Sequence, residues 1–111
     1  MSYYPIELDK VRNLRYGMKA ISLIEKKFKC PIMKIEGITT GEMTMESYAT
    51  MIWAGLAHED KSLTPDKVMD LIDEHSSLKK VSKVMWEAFN ESFAGDEEKQ
   101  EEIEGEKEKN E

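Results

Sequence analysis

Residues 63–72 read Leu-Thr-Pro-Asp-Lys-Val-Met-Asp-Leu-Ile and carry the clearest helix start of the chain. Thr64 suits the N-cap position, because its hydroxyl can accept a hydrogen bond from a free N–H group of the first turn. Pro65 fits the first helical position, and Asp66 falls in the first turn. The stretch therefore predicts a short helix whose apolar residues are Val68, Leu71 and Ile72.

Two further helices are expected on either side of this one. A helix should begin near Thr44, since apolar residues then recur at helical spacing on one face at Met45, Tyr48, Ala49, Ile52 and Leu56. Ser77 is a suitable cap for a helix that should end at Gly95. Its apolar positions are Leu78, Val81, Met85, Ala88 or Phe89, and Phe93.

The N-terminal third predicts an extended arm followed by the first helix. Ile6-Glu7-Leu8 alternates as a strand does, but it is too short to form a sheet alone. A helix is expected from Asp9 to Lys29, because Val11, Leu14, Met18, Ile21 and Phe28 recur at three- and four-residue steps. Pro31 should stop it. The predicted fold class is all-α, a small bundle of about four helices with an extended N-terminal arm.

The charge of the chain is concentrated at its C-terminus. Residues 96–111 hold nine acidic residues and three lysines, whereas the whole 111-residue chain has a formal charge of -7. Ile103 is the only apolar residue in this stretch, so burial cannot offset the entropy of ordering it. We expect a helical domain over residues 1–95 and a disordered acidic tail over residues 96–111. Such a tail argues against nucleic acid as a partner.

Composition predicts a small protein of the cytoplasm. Hydrophobic residues make up 40% and charged residues 35%, which is too polar for a membrane protein. No apolar stretch approaches the roughly 18 residues of a spanning helix, and the N-terminus lacks the pattern of a signal peptide. Cys30 is the single cysteine and cannot form an internal disulfide, which fits a reducing compartment.

Catalytic and metal-binding patterns are absent from the sequence. The only nucleophile–base candidates are Cys30 with His58 or His75, and none of these is adjacent in sequence. His58-Glu59-Asp60 places three donors in a row, but consecutive helical residues point in different directions. Gly37 and Gly41 lack the lysine of a phosphate-binding loop. We therefore expect no enzymatic activity, no cofactor and no metal.

Methionine is unusually frequent, at eight residues. Flexible thioethers suit surfaces that bind apolar partners of variable shape. Some methionines and both tryptophans fall beside the predicted core stripes, which predicts a partner-binding surface formed by Met51, Trp53, Met85 and Trp86. The alternative interpretation is that a small bundle buries these side chains in its core.

Two stretches of the chain resemble a known family. The first contains IELDK (residues 6–10) and RNLRYGM (residues 12–18), followed by Ile24-Glu25, and is similar to the start of phage tail assembly chaperones from long-tailed phages and prophages. The second reads IWAGLAHED (residues 52–60) and then LTPD (residues 63–66). It resembles a stretch of that family in which WAGL and HED are followed by LT. Together the matches extend over roughly residues 6–90.

The resemblance implies an assembly factor of the host bacterial cytoplasm rather than an enzyme. Proteins of this family bind the long, largely helical tape measure protein during tail building, and they leave as tail tube protein polymerises around it. The tape measure protein is thus the expected partner and tail tube protein a second one. Self-association of the chain is a further expectation, and no membrane partner is expected.

Two other classes of function remain open at this point. The first is a small acidic regulatory binder, such as a nucleic-acid mimic or an inhibitor of a partner protein. A mimic should carry its acidic residues on the folded part, whereas residues 1–95 hold 13 basic and 14 acidic side chains. The second is a helical enzyme or metal-binding module, which the missing ligand motifs oppose.

Overall fold

The computed structural model describes residues 4–92 of the chain. This part contains two short strands and four helices, so the prediction of a four-helix protein is confirmed, while the prediction of a purely α-helical fold is wrong. In chain order the elements are β1 (Tyr4–Glu7), β2 (Val11–Leu14), α1 (Met18–Phe28), α2 (Met45–Leu56), α3 (Pro65–His75) and α4 (described over residues 78–92). A 3-10 turn at Ile32–Lys34 follows α1.

The strands form an antiparallel hairpin where the sequence predicted the arm and the first half of a long helix. Tyr4 lies opposite Leu14, and Ile6 lies opposite Arg12. The side chains of Arg12, Leu14 and Tyr16 are buried, whereas those between them are not. This period of two is typical of a strand with one covered face. The expected helix start at Asp9 is therefore wrong, and the partner of the N-terminal arm is the next segment of the chain.

The first helix begins at Met18, nine residues later than expected. Gly17 is its N-cap, and Lys29 ends it in the left-handed conformation with φ 59°. Ala20 and Ile24 face the core. Met18 is 91% exposed, so its predicted place in the core stripe is wrong. The physical reason is that Leu14 and Met18 belong to different elements, and the four-residue step between them is not a turn of helix.

The predicted caps at Thr64 and Ser77 and the predicted helix start near Thr44 are confirmed, and Thr44 is itself a cap. The hydroxyl of Thr44 accepts a hydrogen bond from the backbone N–H of Ser47 at 3.1 Å. The hydroxyl of Thr64 accepts one from Lys67 at 3.2 Å, with Pro65 in the first turn of α3. Ser77 caps α4 in the same way through the N–H of Lys80 at 3.3 Å. Local side-chain chemistry thus sets three of the four helix starts.

Helix α2 lies at the centre of the core and packs against β2, α1 and α3. Its side chains Met51, Ile52 and Leu56 have no exposed surface. The loop before it is also anchored, because Ile35 and Ile38 are buried. Gly37 permits this loop to turn, since it adopts φ +86° and a Cβ there would lie 2.3 Å from the carbonyl oxygen of Glu42.

Three predictions fall outside the described residues. They are the end of the last helix at Gly95, the boundary between a domain at 1–95 and a tail at 96–111, and the disorder of that tail. These remain predictions.

Candidate functional site

The two stretches that carry the family resemblance meet in the fold. Residues 12–16, at the end of the hairpin, pack against residues 51–60, at the C-terminal end of α2 and just beyond it; we call this contact the hairpin seam. The backbone N–H of Arg15 donates to the carbonyl of Gly55 at 2.9 Å. A Cβ at Gly55 would lie 2.7 Å from Cζ of Tyr16 and 2.8 Å from Cδ2 of Leu14. The absence of a side chain at Gly55 thus allows the hairpin to approach α2.

Tyr16 is the central side chain of the seam. It is 1% exposed, and its hydroxyl donates to the carbonyl oxygen of Met51 at 2.8 Å. Burial raises the pKa of this phenol, so the hydroxyl stays protonated and serves as a donor. The ring packs edge to face on Phe89 of α4, with centroids 5.8 Å apart. Tyr16 therefore joins the hairpin to two helices at once.

The free edge of β2 is closed by side chains that follow α2. The backbone N–H of Asn13 donates to Oε1 of Glu59 at 2.9 Å, and its side-chain amide donates to Oε2 at 3.1 Å. His58 Nε2 lies 2.7 Å from the carbonyl oxygen of Asn13. Burial acts to raise the pKa of Glu59, but the hydrogen bonds from Asn13 outweigh it and the pKa is lowered. These contacts occupy a strand edge that would otherwise expose unpaired backbone groups.

A buried arginine links the hairpin turn to the loop after α2. Arg12 is 5% exposed, and its guanidinium forms two hydrogen bonds to Asp9, at 2.8 and 2.9 Å. It also contacts Asp60 at 3.2 Å. Two hydrogen bonds from Ser62 and the one from Arg12 lower the pKa of Asp60 to about 2. The Arg12 guanidinium also lowers the pKa of Asp9, and Asp9 in turn raises that of Arg12.

The buried polar groups of the hairpin seam form hydrogen bonds with other groups of the protein. Between residues 4 and 92, every buried side-chain nitrogen or oxygen has a hydrogen-bond partner. The same residues contain no cluster of three side chains suited to hold a metal ion. A shallow depression lined by Ser22, Glu25, Lys26, Cys30 and Pro31 lies elsewhere on the surface. The hairpin seam therefore stabilises the fold, because its charged side chains bind other groups of the seam and its neighbours.

The predicted partner-binding residues fall into two pairs. Met51 and Met85 are completely buried, so the expectation that they lie outside the core is wrong. Met51 is buried because α2 is surrounded by β2, α1 and α3 instead of presenting one face to solvent. Met85 packs into the same cluster from α4. Neither side chain is available to a partner in this conformation.

Trp53 and Trp86 are partly buried and remain candidates for binding. The indole N–H of Trp53 donates to the carbonyl oxygen of Leu63 at 3.0 Å, and the ammonium of Lys27 lies 5.5 Å from the ring centroid. Trp86 packs edge to face on Tyr48 and on Phe89. Each indole therefore has one side held by the protein and part of its surface open.

Most of the exposed apolar residues in the described part of the chain are ones that the sequence had assigned to the apolar stripes of helices. Among residues 4–92, four large apolar side chains are more than half exposed: Val11, Met18, Met33 and Met45. A sequence signal was available for Met18, because the break at Tyr16-Gly17 separates it from the preceding apolar residues. Val11 had none, because its place on the outer face of the strand follows from the burial of the charged residue Arg12.

Comparisons with known proteins add nothing to this description. No family model, no curated protein and no solved structure matches the chain. The resemblance to tail assembly chaperones therefore rests on the two stretches of sequence alone. Among residues 4–92, no helix combines the length and the apolar character needed to cross a membrane.

Proposed function

We propose that this protein is a phage tail assembly chaperone of the bacterial cytoplasm that binds the tape measure protein and has no catalytic activity. The observation that carries the proposal is the hairpin seam. The two stretches that resemble the family are separated by more than thirty residues in sequence, yet they bind one another: Asn13 donates two hydrogen bonds to the carboxylate of Glu59, and the backbone N–H of Arg15 donates to the carbonyl of Gly55. A resemblance confined to residues that cooperate in one structural unit is more specific than two unrelated matches.

Binding of the tape measure protein is proposed for the exposed apolar side chains. Met18 lies in the first turn of α1, and Met45 lies in the first turn of α2. Both thioethers can adjust to apolar helical stripes of different shape, because methionine has three freely rotating side-chain bonds. A few such contacts bury little area, which suits a chaperone that must later be displaced. Trp53 and Trp86 would add larger apolar contacts at the same low specificity.

The experiment is co-expression with the tape measure protein of the same phage or prophage. We expect the soluble fraction of the tape measure protein to rise and the two chains to co-purify. The variant Met18→Ser/Met45→Ser should reduce both effects. Its matched control is Lys19→Ser/Glu46→Ser, which changes the exposed neighbouring residues and should bind as the wild type does.

Circular dichroism of both variants checks that they are folded. If the wild-type chain neither solubilises the tape measure protein nor co-purifies with it, the proposed function is wrong. Sedimentation of the chain alone, over a range of concentrations, tests the expected self-association.

A further inference from the structure

Three lysines at the start of α4 lack an electrostatic partner in the described part of the chain. Lys79, Lys80 and Lys83 are exposed and lie in the first two turns of the helix; we call them the α4 lysine face. Among residues 4–92, close contacts between basic and acidic side chains include those of Arg12 with Asp9 and Asp60, and of His75 with Glu74. None involves these lysines. Cations at the N-terminal end of a helix are also unfavourable, because the helix dipole is positive there.

The lysines of α1 provide a useful contrast. Lys26 and Lys27 lie in the last turn of the helix, and Lys29 ends it, so all three are near the negative end of the dipole. The ammonium of Lys27 is also placed over the ring of Trp53. These cations are stabilised by their own helix and its neighbour. The α4 lysine face has neither form of compensation within the described residues, so an anionic segment bound there would offset an unfavourable charge that the α1 lysines do not carry.

We propose that the acidic C-terminal stretch, residues 96–111, binds the α4 lysine face of the same chain. The charges are complementary, since this stretch carries nine acidic residues against three lysines. The reach is also sufficient. Residue 79 lies about 20 Å along the helix from residue 92, at 1.5 Å per residue. The 19 residues after residue 92 can extend to about 60 Å.

The contact has a consequence for partner binding. An acidic stretch that occupies the α4 lysine face competes with any other anionic chain for the same cations, so it acts as an internal competitor. Because exposed charges are screened by salt, the contact should weaken at high ionic strength. Because both parts belong to one chain, it should not depend on protein concentration.

The test uses backbone amide spectra of the full-length chain. Glu101→Gln/Glu102→Gln/Glu104→Gln/Glu106→Gln removes four charges from the acidic stretch without shortening it. We expect the amide shifts of residues 78–84 to differ between the wild type and this variant at low salt, and the difference to disappear at high salt. When Lys79→Gln/Lys80→Gln/Lys83→Gln is added to the wild type and to the four-glutamine variant, the difference in amide shifts between these two proteins should disappear. The matched control, Lys26→Gln/Lys27→Gln/Lys29→Gln, should leave it unchanged.

Four results would overturn the proposal. The first is no shift difference at residues 78–84, and the second is a difference that survives in the α4 lysine variant. The third is a difference centred on residues 26–34 and lost in the α1 control. The fourth is a difference that vanishes on dilution, which would assign the contact to a second copy of the chain. All variants change exposed side chains or residues of the acidic stretch, and circular dichroism checks that they are folded.

Discussion

The hairpin seam and the four exposed apolar side chains use similar residue types in opposite ways. In the seam, Leu14 and Tyr16 are almost completely buried and Gly55 is in contact with both. A few residues further on, Met18 is 91% exposed. The comparison separates two roles that the sequence had combined. Most residues of the two stretches that resemble the chaperone family stabilise the fold. The apolar side chains that are open to a partner lie mainly outside these stretches; the exceptions are Val11, Met18 and part of Trp53.

The largest expected difference is between Leu14→Ala and Met18→Ala. Leu14→Ala should lower the free energy of unfolding by about 2–5 kcal/mol, because it removes a completely buried side chain and leaves a cavity. Met18→Ala should change it by less than about 0.5 kcal/mol, since the side chain is exposed. Urea unfolding measures both. Equal losses would mean that residues 14 and 18 share one buried face, as in the helix that the sequence predicted.

Gly55→Ala tests the close packing of the hairpin seam, because that packing decides whether the substitution raises or lowers the free energy of unfolding. Helix propensity alone predicts a gain of about 1 kcal/mol from this substitution in α2. The new methyl group would lie 2.7 Å from the ring of Tyr16, and overpacking of this kind typically costs about 1–3 kcal/mol. We therefore expect a net loss of stability in urea unfolding, with shifted side-chain resonances of Leu14 and Tyr16. A more stable variant would show that the hairpin does not pack closely on α2.

Acid should weaken the link between Arg12 and Asp60. The pKa of Asp60 is lowered from its ordinary 3.8 to about 2, so the folded protein binds this proton less readily than the unfolded chain. Its contribution to stability is therefore complete above about pH 4 and is lost as the pH falls through 2. Asp60→Asn should flatten the fall in melting temperature over this range. Asp70→Asn, on the exposed face of α3, is the control and should leave the fall unchanged.

The sequence predicted features that depend on a few neighbouring residues. The caps at Thr64 and Ser77 and the helix start near Thr44 are examples, because each depends on a contact over three residues. The hairpin was missed because Val11, Leu14 and Met18 happen to match helical spacing, while the buried position of Arg12 depends on Asp60, 48 residues away. No local pattern shows such a contact.

The candidate site was predicted less well for a related reason. Met51 was assigned to the surface because each helix was expected to bury a single face, whereas Met85 was named as a partner-binding residue although it lies on the predicted apolar stripe of its helix. A helix that packs on several sides buries side chains all round, and α2 does so. The tryptophans were placed more accurately because their size leaves part of each ring open even in a packed helix.

The smallest difference between a variant and its control is expected at Trp53, which lies between the hairpin seam and the exposed apolar side chains. Its indole N–H is held by Leu63 beside the seam, while its ring lies under the ammonium of Lys27. Lys27→Ala should lower the free energy of unfolding by about 0.5–1 kcal/mol, the usual contribution of an exposed cation–π contact. It should also make the indole fluorescence more easily quenched by acrylamide, a neutral quencher whose access does not depend on the charge of the lysine. Lys26→Ala removes an adjacent exposed lysine for which the structure gives no ring contact, and it should change quenching less. Equal quenching in the two variants would mean that Lys27 does not cover Trp53, and the indole would then belong with the exposed apolar surface.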